Sequence, residues 1–126
     1  MKRRYLFDIE TNGLYDSVTE IFCIVIYDVI RKQTVTYGPD SIDSAIEHLH
    51  GADVLIGHNI IFYDIPVLRK LTDFKLTAHV IDTLVCTRFV WPKEILYDLD
   101  DNHYPQVPAQ FKGTAGLKAW GYRLGS

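Results

Sequence analysis

The apolar and aromatic run from Arg4 to Glu10, closed by Thr11-Asn12-Gly13, predicts a strand that runs into a turn. Residues two apart on a strand project from the same face, so Asp8 and Glu10 become same-face neighbours. Dense β-branched and aromatic residues from Glu20 to Val29, and again from Thr34 to Tyr37 after the polar break Arg31-Lys32-Gln33, predict two further antiparallel strands. Behind Pro39-Asp40-Ser41 the spacing of Ile42, Ala45, Ile46 and Leu49 changes to that of a helix, with Ser41 or Asp40 as its N-cap and an end near Gly51.

Asp53 to Gly57 is a brief apolar strand leading into His58-Asn59, and a strand that follows a helix implies a parallel crossover. Tyr63-Asp64-Ile65-Pro66 opens the next helix, with Pro66 in its first turn and Ile65, Leu68 and Leu71 along one side. His79 to Thr83 predicts a last strand, and Leu84 to Val90 a helix that Trp91-Pro92 stops. The segment beyond is poorly patterned, so Asp98, Asp100, Asp101, Asn102, Pro105 and Pro108 are expected in a surface loop. Within Thr114 to Leu124, the spacing of Leu117, Trp120 and Leu124 predicts a closing helix. The summed order is that of an α/β protein with a mixed five-stranded sheet flanked by helices.

Composition narrows the picture. A chain of 126 residues with 48% hydrophobic and 23% charged positions is expected to form a single domain spanning 1–126 with one core. The longest apolar stretches, around Ile21 to Tyr27 and Ala78 to Val90, are too short and too interrupted to span a membrane. Acids at Asp8 and Glu10 fall where a signal peptide needs its apolar region, which points to the cytoplasm. Cys23 and Cys86 sit in apolar segments with no CxxC pairing, and buried free thiols are expected. A net charge of -3 excludes a broad basic surface for duplex DNA and leaves room for a small local site on nucleic acid.

The candidate chemistry is acidic. Asp8 and Glu10 place two carboxylates close together at a strand end, and divalent cations relieve such repulsion; oxygen ligands suit Mg2+ or Mn2+. Asp64 supplies a third acid from the start of the helix after the next strand. Singly, an Asp-x-Glu pair is more often a solvated strand end, and Asp before an apolar helix is more often a cap. The combination carries the argument.

Phe7-Asp8-Ile9-Glu10-Thr11-Asn12-Gly13-Leu14 resembles the first motif of the DnaQ-like, or DEDD, proofreading exonucleases. His58-Asn59-Ile60-Ile61-Phe62-Tyr63-Asp64-Ile65-Pro66-Val67-Leu68 resembles their second. Ile81-Asp82-Thr83-Leu84 and Leu117 to Gly125 resemble the exonuclease domains of phage family-A DNA polymerases, and the predicted element order is that of a ribonuclease H-like fold. The resemblance implies metal-dependent 3'-5' hydrolysis of single-stranded DNA in the host cytoplasm, with Asp8, Glu10 and Asp64 as catalytic metal ligands for Mg2+ or Mn2+. It further implies that Thr11, Asn12, Gly13, Leu14, His58, Asn59, Phe62 and Tyr63 hold the substrate.

The family's third motif, a Tyr or His followed by Asp on a later helix, lies past the last residue of this sequence. A C-terminally truncated domain is therefore expected, with Asp101 or His103 as the internal candidates for a substitute acid or base. Asp82 is expected to cap the helix that begins at Thr83. The partners expected are single-stranded DNA and either a second copy of the chain or a downstream polymerase polypeptide, because missing helices leave apolar surface near Trp120 and Tyr122. The alternative is an impaired fragment that serves as one piece of a split polymerase or as an interaction module.

Overall fold

The structure, a computed structural model, describes residues 2–125. β1 (Arg4–Thr11), β2 (Ile21–Asp28) and β3 (Gln33–Tyr37) form an antiparallel meander, and β4 (Val54–Gly57) and β5 (His79–Asp82) join it in parallel. The sheet order is β3-β2-β1-β4-β5, so β1 is central. Along β1, Tyr5, Phe7 and Ile9 are buried while Leu6, Asp8 and Glu10 are exposed, which is the period-two pattern of a strand with one face on the core.

Parallel pairing requires crossovers, and two helices supply them. α1 (Ile42–His50) buries Ala45, Ile46 and Leu49, and α2 (Ile65–Leu71) buries Ile65, Val67 and Leu68, in one core with Tyr5, Phe7, Ile24, Ile26 and Leu55. Fully burying each large aliphatic side chain contributes roughly 1.5–3 kcal/mol, so this shared core is what holds the helices to the sheet. Ser41 does occupy the N-cap position of α1, but its side chain makes no capping bond; the 3-10 turn Pro39–Ser41 leads into the helix instead. His48 is committed to packing, with its Nδ1 hydrogen-bonded to the Tyr37 hydroxyl at 2.9 Å and its ring edge-on to Tyr5.

The chain divides into two compact units, Met1–Asp82 with the whole sheet and Thr83–Ser126. The second contains α3 (Thr83–Val90), α4 (Lys93–Asn102), a 3-10 turn (Ala109–Phe111) and α5 (Leu117–Leu124). No helix among the described residues is long and apolar enough to cross a membrane.

Two expectations are corrected in the second unit, and one concerns a cysteine in each unit. The segment expected to be a surface loop is helix α4 as far as Asn102, and that helix buries Leu96 and Asp100; Pro105 and Pro108 lie outside any helix. Asp100 is fully buried because Arg123 of α5 meets it with two bonds of 2.7 Å, Nε to Oδ1 and Nη2 to Oδ2, while the Gly113 N–H donates to Oδ2 at 2.8 Å. An ion pair inside a helical interface erases the apolar periodicity by which the helix would be found. For the same reason α5 buries Ala119 and Arg123 and leaves Leu117 and Leu124 exposed, although those leucines carry the helical spacing. Cys86 is exposed and Cys23 half-buried, so neither is the buried thiol expected.

Candidate active site

The candidate acids lie in the first unit, where the ends of β1, β4 and β5 meet a distorted turn. Gly57 closes β4: a Cβ there would lie 2.3 Å from Cγ2 of Ile60 and 3.0 Å from the Phe7 carbonyl oxygen, so only glycine permits this approach. Asn59 follows in the left-handed conformation, φ 62 and ψ 29, which Asn tolerates better than most residues. Ile60–Asp64 then forms a π-helical turn, closed by the Ile65 N–H donating to the Ile60 carbonyl, and runs directly into α2. Such turns are rare and recur at functional sites. No side-chain spacing rule signals this one, and the expected helix start at Tyr63 is displaced by it.

Asp64 is not a helix cap. It makes no capping bond to α2; its Oδ2 instead accepts the Ile9 N–H of β1 at 3.2 Å, with the residue 4% exposed. Burial and then the charge of Asp8 push its pKa up to about 7, and a smaller rise comes from Asp82. Asp8 and Glu10 are exposed on the outward face of β1, as their spacing predicts. Loss of solvent around the Asp8 carboxylate, and then the charge of Glu10, raise the Asp8 pKa as well. β1 shifts register against β2 between Glu10 and Thr11, a bulge of the kind found beside active sites.

The neighbouring loop is held by its own residues. The Tyr63 hydroxyl donates to the Gly13 carbonyl and shares a hydrogen bond with the Thr11 hydroxyl, fastening the π turn to the end of β1. Asn12 staples the loop shut: Oδ1 accepts the Thr19 and Glu20 N–H groups at 3.0 and 3.1 Å, and Nδ2 donates to the Thr19 hydroxyl at 2.7 Å. Lys70 of α2 donates to the Tyr15 carbonyl at 2.6 Å and lies over the Tyr15 ring. Thr11, Asn12, Gly13 and Tyr63 thus shape the loop, whereas Leu14 and Phe62 stand out from it, 78% and 68% exposed. His58 and Asn59 lie in the turn between β4 and the π turn, both half-buried.

Asp82, at the end of β5, has a part that its sequence position did not announce. Its Oδ1 accepts the Asn59 N–H at 2.9 Å and its Oδ2 the Ile61 N–H at 3.0 Å, and it is buried. A signal was available: Asp82 pairs with Gly57 at the carboxyl ends of two parallel strands, the edge at which α/β sheets carry their sites. Asp101 and His103 belong to the second unit, where Asp101 is ion-paired with Lys112 and His103 is exposed at the end of α4.

The donor set fits a hard divalent cation. It consists of carboxylate oxygens; burial first, and then repulsion within the set, raise the pKa of Asp8 and Asp64, and a bound cation would oppose both. Among the described residues no three His, Cys, Asp or Glu side chains stand ready-grouped around one metal position.

Comparison with known proteins adds the lineage. A family model, RNase_H superfamily, matches residues 5–115. The DNA-directed DNA polymerase of Escherichia phage T7 is 35% identical over 130 residues, covering 94% of this chain and 18% of the polymerase. That of Enterobacteria phage T3 is 34% identical over the same shares of both chains. A solved family B DNA polymerase from the archaeon Pyrobaculum calidifontis is similar over 56% of this chain and 11% of its own, at 14% identity and a TM-score of 0.42.

Proposed function

Because this chain belongs to the RNase H superfamily, we propose that it is a metal-dependent nuclease that removes nucleotides from the 3' end of single-stranded DNA, with Asp8, Glu10 and Asp64 holding Mg2+ or Mn2+. The observation that carries the reading is Asp64. Its carboxyl is buried, bonded to the Ile9 N–H and not ion-paired with any described residue, and burial and Asp8 push it up to about 7, which is the kind of perturbation that clusters at functional sites.

When bound, the ions would activate a water molecule and stabilise the departing oxygen. The rest falls to the chain's own residues. The loop fastened by Thr11, Asn12 and Tyr63 presents Leu14, and the π turn presents Phe62; both offer exposed apolar surface against which unstacked terminal bases can rest. His58 and Asn59 lie beside that turn, and we assign them contacts with the nucleotide. A duplex end lacks unstacked bases, which is why a single strand fits.

The chain spans 18% of the length of the phage polymerases it matches, and this favours a second reading of the same site. In it the domain edits for a polymerase, and the group that orients water comes from outside the described residues. The test is end-labelled single-stranded DNA incubated with the chain and Mn2+: stepwise shortening is expected, abolished in Asp8→Ala and Asp64→Ala. Shortening by both variants at the wild-type rate defeats the assignment. Cleavage that appears only after addition of a polymerase polypeptide selects the second reading.

A further inference from the structure

We propose that Asp82 is a positioning residue of this site: its carboxylate clamps the π turn so that Asp64 is held against β1. The proposal rests on reading Asp8, Glu10 and Asp64 as the metal site. The helical stretch from Ile60 to Leu71 begins with N–H groups that have no helical partner of their own. Asn59, in N-cap position, gives no side-chain cap to it. One carboxylate from β5, more than twenty residues later, accepts the N–H groups of both Asn59 and Ile61.

That pair of hydrogen bonds does two things a local cap would not. It stabilises the left-handed Asn59, which is the point where the chain leaves β4 for the π turn. It also ties the turn's first residues to the end of β5, so the sheet itself sets the height at which Asp64 emerges three residues after Ile61. Gly57 lets Ile60 seat against β4, and Tyr63 fastens the far side to Gly13. Asp64 then reaches the Ile9 N–H from a turn held at both ends. Residues behind metal ligands that fix their orientation typically matter about 10- to 100-fold in metal affinity.

The experiment compares wild type with Asp82→Asn, which retains one acceptor, and Asp82→Ala, which retains none. Amide hydrogen exchange without metal is the first readout. Exchange at Asn59, Ile61 and also Ile9 is expected to accelerate at least about tenfold in Asp82→Ala, and less in Asp82→Asn, with Leu49 in the core unchanged. Acceleration confined to Asn59 and Ile61, or spread equally to Leu49, overturns positioning. The second readout is Mn2+ affinity, expected to fall about 10- to 100-fold in folded Asp82→Asn; an unchanged affinity overturns the proposal. If the wild type itself binds no Mn2+, the metal-site reading fails, and the exchange at Ile9 still decides whether Asp82 positions Asp64.

Discussion

Asp64 in the first unit and Asp100 in the second are both buried aspartates, and their surroundings make them opposites. Asp100 is enclosed by its own counter-charge: Arg123 meets it twice, Gly113 donates a further bond, and these hold its carboxyl below the usual range despite burial. Asp64 accepts the Ile9 N–H at 3.2 Å and has two acids, Asp8 and Asp82, among its neighbours, and its carboxyl rises to about 7. Burial penalises both charges. What differs is whether the chain itself supplies the compensation. Where it does, as in the second unit, the acid is a structural fastener; where it does not, the acid stays an uncompensated charge, the one that the proposed function assigns to a cation.

The comparison breaks most visibly if Asp100 loses its partner. Arg123→Met leaves a fully buried carboxylate with only the Gly113 N–H, and removal of one member of a buried pair costs about 3–5 kcal/mol. Urea unfolding at pH 7 is expected to show that loss. The double variant Asp100→Leu/Arg123→Met should recover part of it, since two apolar side chains leave no orphaned charge. A single variant as stable as wild type would mean that the ion pair is not what closes the second unit.

Asp64 predicts the reverse sign. Its unfolded pKa is near 3.9 and its folded value about 7, so the folded state holds the proton more tightly. Below about pH 4 both states are protonated and Asp64 costs nothing. The penalty then grows as pH rises from about 4 to 7 and is complete above that window, because folding must there accept a buried charge or a bound proton. Asp64→Asn removes the charge while its amide oxygen can still accept the Ile9 N–H. It is expected to stabilise the chain by roughly 2–4 kcal/mol at pH 8 and by little at pH 4. Adding Mg2+ at about a hundred times its dissociation constant should give the wild type about 2.7 kcal/mol at pH 8 and the variant almost nothing. A variant destabilised equally at both pH values sinks the account of Asp64 as an uncompensated charge.

The same contrast explains what could be read from the sequence. The sheet was legible because Tyr5, Phe7 and Ile9 alternate with outward residues, and α1 because Ala45, Ile46 and Leu49 recur on one stripe. Asp8 and Glu10 were legible as a pair from strand geometry alone. α4 was hidden because its inward position is an acid answered by Arg123, a partner in another helix. The π turn was hidden because it depends on a strand-end carboxylate, a glycine and a left-handed Asn59 brought together by pairing of β4 with β5. Periodicity reports what a segment buries against the core, and it is silent wherever a polar group finds its partner through the fold.

The smallest effect sharpens the comparison further. Tyr63 adjoins Asp64 but acts on the Gly13 carbonyl and the Thr11 hydroxyl, and not on the carboxylate. Tyr63→Phe keeps the ring and removes the hydroxyl, leaving the half-buried Gly13 carbonyl without that donor. A lost bond of this kind costs about 0.5–1.5 kcal/mol, a fall of a few degrees in Tm. The loss is expected to be constant between pH 4 and 8, because the bond removed joins a hydroxyl to a backbone carbonyl and involves no charged partner. If the variant also flattens the wild-type pH dependence, the clamp on the loop is part of what keeps Asp64 desolvated. If the profile merely shifts down in parallel, the charge of Asp64 is governed by β1 and the π turn, and the loop's fastening serves the apolar surfaces of Leu14 and Phe62 instead.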